Sequence, residues 1–71
     1  MDIERWMPRF RGPLVALVAS WGAPWRDAEE LAQDVFAEGY FAWPRFEGDP
    51  DSDHAVGAWL RGIAFRLHSQ W

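Results

Sequence analysis

The stretch DAEELAQDVFAEGYFAW, residues 27–43, has the periodicity of one long amphipathic helix. At about 100° per residue, Leu31, Ala32, Val35, Phe36, Gly39, Ala42 and Trp43 gather on one side, and Glu30, Gln33, Asp34, Ala37 and Phe41 fall opposite. Tyr40 lies at the margin. Asp27 and Glu30 stand at capping-box spacing, with Asp in place of the usual Ser or Thr, which predicts that the helix starts there. Pro44 disfavours helix in the residue before it, so the end is predicted near Trp43. The outward face combines carboxylates, an amide and a phenyl ring, which is more than a solvated surface needs.

Working outward, Pro13 suits the first turn of a preceding helix whose Leu14, Leu17, Val18 and Trp21 follow i, i+3, i+4, i+7 spacing. Gly22 sits where that helix stops, with a loop over residues 22–26. Residues 2–12 are expected to add a short N-terminal helix capped by Asp2 and interrupted by Pro8 and Gly12. Downstream, PRFEGDPDSD at 44–53 is a turn-rich loop, and any of Asp51, Ser52 or Asp53 suits the cap of the next helix. That helix is predicted to run to about Gln70 with Val56, Trp59, Leu60, Ile63, Ala64, Leu67 and Trp71 as its apolar stripe. Ala58, Arg61, Gly62, Phe65, Arg66 and Ser69 take the other side, where small residues between arginines would let a bulky anion such as phosphate approach the backbone. No strand-like alternation competes, so the expectation is an all-α bundle of three main helices plus the short N-terminal one, in a single domain 1–71.

A chain of 71 residues has room for one small core, and folding buries only about 60% of the surface its unfolded form exposes. All seven basic residues are arginine, and the formal charge is −4. Residues 1–26 carry +2, residues 27–53 carry −8 and residues 54–71 carry +2, a segregation that suggests two faces for two partners.

Several chemistries are excluded. Cysteine is absent, which removes disulfides, thiolate metal sites and cysteine nucleophiles. Asp49, Asp51 and Asp53 imitate the start of a calcium loop, but His54 replaces its turn glycine and Leu60 stands where the bidentate Glu belongs. His54 and His68 would sit about 21 Å apart on one helix, too far to share a metal. Ser20, Ser52 and Ser69 have no base placed beside them, and no glycine-rich phosphate loop occurs, so neither an enzyme, a metal nor a cofactor is expected. No run reaches the roughly 18 apolar residues of a membrane span, and Asp2 and Glu4 follow Met1 where a leader would be basic, so neither membrane insertion nor secretion is expected.

The run DAEELAQDVFAEGYFAWPRF at 27–46, followed by GAWLRGIAFRL at 57–67, resembles the second conserved region of bacterial sigma factors of the extracytoplasmic-function (ECF) group. That family has an acidic helix of the form DAE(D/E)L-x-Q-(E/D)-x-F, an aromatic segment ending in an RF-x-G turn, and a helix of the form WL-x-x-IA. Order and spacing match over roughly two thirds of the chain, and FRGPLVALVASWG at 10–22 is similar to the preceding family helix.

The resemblance implies a transcription initiation domain of the bacterial cytoplasm that binds core RNA polymerase and recognises and melts the minus-ten promoter element. It places Gln33 and Asp34 on the clamp helices of the polymerase β′ subunit, with Glu30, Ala37 and Glu38 around the contact. It places promoter DNA, as the opened non-template strand, against Phe46, Gly48 and the loop to Asp53, against Arg61, Phe65 and Arg66, and against Tyr40 and Phe41 in the melting segment. Flipping a base out costs a few kcal/mol, offset by aromatic stacking and contacts to base edges. Trp43 belongs to the same segment but reads as core by its angle. An anti-sigma factor is a further expected partner. The family also carries a helix-turn-helix domain beyond this region, so the chain is expected to be the N-terminal part of a longer sigma factor.

Two sequence features keep a second function in view. The loop carries Glu47, Asp49, Asp51 and Asp53, which repel phosphate, and Arg66 stands where many family members have an Asn. The alternative is a sigma-like protein-interaction module that binds polymerase or an anti-sigma factor and has lost promoter binding.

Overall fold

A computed structural model describes residues 1–70 and contains three α-helices: α1 (Ile3–Ser20), α2 (Trp25–Ala42) and α3 (Asp53–His68). A single 3₁₀ turn, Trp43–Arg45, follows α2, and no strand occurs among the described residues. The radius of gyration is 11.3 Å, against about 11 Å expected of a compact domain of this length. The predicted all-α bundle of three main helices is therefore the observed one.

The N-terminal segment departs from expectation. In place of a short interrupted helix followed by one starting at Pro13, α1 runs unbroken through both Pro8 and Pro13. Asp2 caps it as predicted, its carboxylate accepting the Arg5 backbone N–H at 3.1 Å. Both prolines lie on the exposed side, and the carbonyls they leave without donors belong to Glu4 and Arg9, themselves exposed residues where solvent can substitute for the missing bonds. Each interior proline costs about 3 kcal/mol, while burying each of Trp6, Leu14, Val15 and Val18 returns about 1.5–3 kcal/mol. Packing therefore overrides the helix breakers. Gly22 ends the hairpin between α1 and α2 with φ +100°, a conformation that suits glycine, as its position after the stripe foretold.

The start of α2 is also earlier than predicted. Asp27 is not the cap: Trp25 opens the helix, and Pro24 precedes it with ψ 150° and no side-chain cap bond. Proline fixes φ and has no N–H to satisfy, so it enters the helix without an Asp, and Asp27 instead sits in the first turn, where its charge favours the helix dipole. The end follows expectation, with Pro44 converting the chain to the 3₁₀ turn after Ala42. Of the three candidate caps for α3, Ser52 is the one used, its hydroxyl accepting the Ala55 N–H at 3.1 Å. The helix stops at His68, short of Gln70, with Ser69 as its C-cap. Trp71, assigned to the stripe from sequence, lies outside the described residues.

The core joins Trp6, Leu14, Val15 and Val18 of α1 to Ala28, Leu31, Ala32, Val35 and Phe36 of α2 and to Val56, Leu60, Ile63 and Ala64 of α3. Trp59, Leu67 and Trp43 pack against it but are only partly buried. Helix α2 is central, packing on both neighbours, while α1 and α3 meet less extensively. One close α1–α3 approach is at Gly57, where a methyl group would come within 2.9 Å of the Phe10 ring. Each helix leaves an outward side uncovered, and the predicted site residues lie on those of α2 and α3 and in the loop between them.

Candidate functional site

The outward side of α2 is built as its angles require. Glu30, Gln33, Asp34, Ala37 and Glu38 are all exposed. Glu30 and Asp34 form no ion pair among the described residues, whereas Glu29 pairs with Arg11 at 3.6 Å and Glu38 with Arg66 at 3.4 Å. Tyr40 and Phe41 continue this surface, with Phe41 83% exposed and the two rings edge to face at 6.3 Å. Beneath them a groove of about 360 Å³ is lined by Ile3, Met7, Phe36, Ala37 and the two rings, with Gln33 adding an amide. An acidic and amide-bearing strip therefore runs alongside an apolar one.

The outward side of α3 carries Arg61, Phe65 and Arg66, with the small Ala58 and Gly62 exposed between them. Phe65 is 67% exposed and meets the edge of Trp21 at 5.9 Å and 90°, so its ring is oriented without being covered. Arg61 forms no ion pair among the described residues, and its guanidinium lies beside Gly57. An open groove of about 620 Å³ separates α3 from the end of α2, lined by Glu38, Ala42, Arg45, Ala58, Trp59, Gly62, Ile63 and Arg66.

The loop before α3 is more ordered than its composition suggests. Phe46 stacks on Trp43 at 4.7 Å and 13°, and tilts against Trp59 at 5.2 Å. Gly48 presses on the Phe46 ring so closely that a methyl group there would lie 2.8 Å from its Cζ. Phe46 and Gly48 are thus in contact, and the partly buried Phe46 ring packs against its aromatic neighbours and Gly48. The loop carboxylates are partly neutralised. Asp51 accepts from Arg5 at 2.9 Å, Asp53 pairs with Arg9, and the Asp49 carboxylate accepts the Asp51 N–H at 2.9 Å. Arg5 and Arg9 in turn lie over the Trp6 ring, 4.3 and 6.0 Å from its centroid.

The two sets of predicted residues meet at the Glu38–Arg66 pair and again in the apolar groove that Gln33 and Ala37 share with Tyr40 and Phe41, whereas Arg61, Phe65, Phe46 and Gly48 line neither contact. Outside both predicted sets, the groove between α2 and α3 also presents a cation, Arg45, and an aromatic ring, Trp59. Arg45 had a legible signal, a cation immediately after the proline that ends α2; Trp59 had none, since its stripe position pointed inward. Among the described residues no group of His, Cys, Asp or Glu is arranged to hold a metal ion, and no helix is long and apolar enough to cross a membrane. Comparison with protein-family models, with curated proteins and with solved structures finds no match to this chain.

Proposed function

We propose that this chain is a sigma region 2-like transcription initiation domain of the bacterial cytoplasm, with α2 docking on the β′ clamp helices of core RNA polymerase and α3 with its preceding loop engaging single-stranded minus-ten promoter DNA. The reading makes it a binding module without catalysis. One observation carries it: an amide at Gln33 and carboxylates at Glu30 and Asp34 that form no ion pair among the described residues face outward on one helix, while arginines and an exposed ring at Arg61, Arg66 and Phe65 face outward on the next. The first surface suits a basic partner and speeds encounter with it, and the second suits a phosphate backbone with stackable bases. Asp51 and Asp53 oppose DNA less than their number suggests, because Arg5 and Arg9 neutralise them.

The test is a pull-down on isolated β′ clamp helices together with binding of single-stranded DNA across a salt series. Gln33→Ala with Asp34→Arg is expected to abolish clamp binding while leaving the helical circular dichroism unchanged, since both residues are exposed. Undiminished clamp binding refutes the assigned face. Arg61→Ala and Arg66→Ala are each expected to weaken DNA binding across sequences and to reduce the salt slope by about 0.7 for each phosphate no longer neutralised. An unaltered slope means that neither arginine meets a phosphate.

The protein-interaction alternative has its own supporting observations, the Arg66 charge already countered by Glu38 and the Phe46 ring packed against Trp43, Trp59 and Gly48. Clamp or anti-sigma binding with no salt-dependent DNA binding selects it.

A further inference from the structure

We propose that the groove between α2 and α3 is a phosphodiester-binding site in which Arg45 and Arg66 grip the backbone of a single-stranded nucleic acid, and that Glu38 is an internal counter-ion holding Arg66 until phosphate displaces it. The proposal rests on the reading of the α3 surface as a nucleic-acid surface and adds to it a site and a control. Arg45 enters the groove from the 3₁₀ turn and Arg66 from α3, and Arg45 forms no ion pair among the described residues. Ala58 and Gly62 line the groove with them, and nothing stands within 4 Å of where a Gly62 methyl would be, so a sugar-phosphate chain can approach the helix closely. Trp59 lines the same groove, supplying an aromatic edge beside the track.

The Glu38–Arg66 pair has the properties of a placeholder. Its 3.4 Å separation is long against the roughly 2.7–2.9 Å of a strong charge-assisted hydrogen bond, and the Arg66 and Glu38 side chains are 54% and 47% exposed. Water and salt therefore compete well for both groups, and a phosphate reached by two guanidiniums at once competes better than either. Glu38 also belongs to the acidic strip of α2. A cationic group of a protein partner that engages Glu38 releases Arg66 into the groove, and by linkage a strand held by Arg66 leaves Glu38 available to that partner with the same coupling. Occupation of one surface thus promotes occupation of the other through a single pair of side chains.

The experiment follows the arginine Nε–Hε resonances of the 71-residue chain while short oligo-dT, oligo-U and inorganic phosphate are titrated in separate series, in the wild type and in Glu38→Gln, Arg45→Ala and Arg66→Ala. Oligo-dT is expected to shift Arg45 and Arg66. Glu38→Gln should tighten that binding about two- to fivefold, the size of an exposed ion pair removed, and each arginine substitution should lower the salt slope by about 0.7. Unchanged affinity in Glu38→Gln overturns the counter-ion role, and binding that leaves Arg45 and Arg66 unshifted overturns the site. Equal response to inorganic phosphate and oligonucleotide would identify an isolated phosphate as the ligand and overturn the strand assignment. Groove binding without promoter-sequence preference and without clamp binding leaves this site intact while the initiation-domain reading fails. Sequence-selective DNA binding that ignores Arg45→Ala and Glu38→Gln does the reverse. Absence of binding by all three probes overturns both.

Discussion

At 1% exposure, Trp6 is the largest side chain fully enclosed in the core, stacked at 5.8 Å on Phe10 and covered by Arg5. Trp6→Ala is expected to cost about 3–5 kcal/mol, a large share of the roughly 4–11 kcal/mol total of a domain this size, and urea unfolding measures it directly. Trp59→Ala should cost clearly less. Sequence periodicity placed Trp59 in the core, yet it is only partly buried and one side lines the α2–α3 groove. If the two variants lose equal stability, that burial difference carries no energetic weight. Phe41 and Phe65 point outward as their helical angles required, because an angle within a straight helix depends on no other element. The burial of Trp6 was not legible in the sequence although it continues Phe10, Leu14 and Val18 backward in steps of four, since two prolines lay across that pattern.

At the scale of the element, the glycines in the helices divide by what surrounds them. Gly57 of α3 faces the Phe10 ring of α1, and an added methyl would meet it at 2.9 Å and the Arg61 guanidinium at 3.1 Å. Gly57→Ala gains about 1 kcal/mol of helix propensity but incurs about 1–3 kcal/mol of overpacking, so a net loss of thermal stability is expected. Gly12, in the middle of α1, has open space around it, and Gly12→Ala is expected to stabilise by about 1 kcal/mol. A lower melting temperature for Gly12→Ala would mean that α1 is not continuous there. Helix ends were legible where one local residue decides them, as at Gly22 and Pro44. The start of α2 was less so, because Pro24 and Asp27 are both acceptable openings and local chemistry does not rank them.

At the scale of the molecule, the charge blocks seen along the sequence become pairs in space. Arginines of the first block meet acids of the middle one through Arg5–Asp51, Arg9–Asp53 and Arg11–Glu29, and the last block answers through Arg66–Glu38. Two of these pairs clasp the end of the loop and the first residue of α3 to the N-terminal half of α1. The side chains of the clasp are between 41% and 81% exposed, so each pair is worth less than about 1 kcal/mol. Asp51→Asn with Asp53→Asn should therefore lower stability slightly at low salt and hardly at all at high salt, while hydrogen exchange of the loop amides accelerates. An equal loss at both salt concentrations would assign the effect to local turn geometry instead of charge.

Local patterns along the chain were enough for the helical class, the number of main helices, the inward and outward sides of α2 and α3, and the stops at Gly22 and Pro44. These depend on a period of 3.6 residues and on the backbone limits of single residues, information that is local to each segment. Packing between helices was needed to carry α1 through two prolines, to enclose Trp6, to clasp Asp51 and Asp53 with Arg5 and Arg9, and to bring Arg45, Arg66 and Glu38 to one groove. Each of those outcomes balances a local cost against contacts between residues far apart in the chain, and such contacts exist only once the helices have packed.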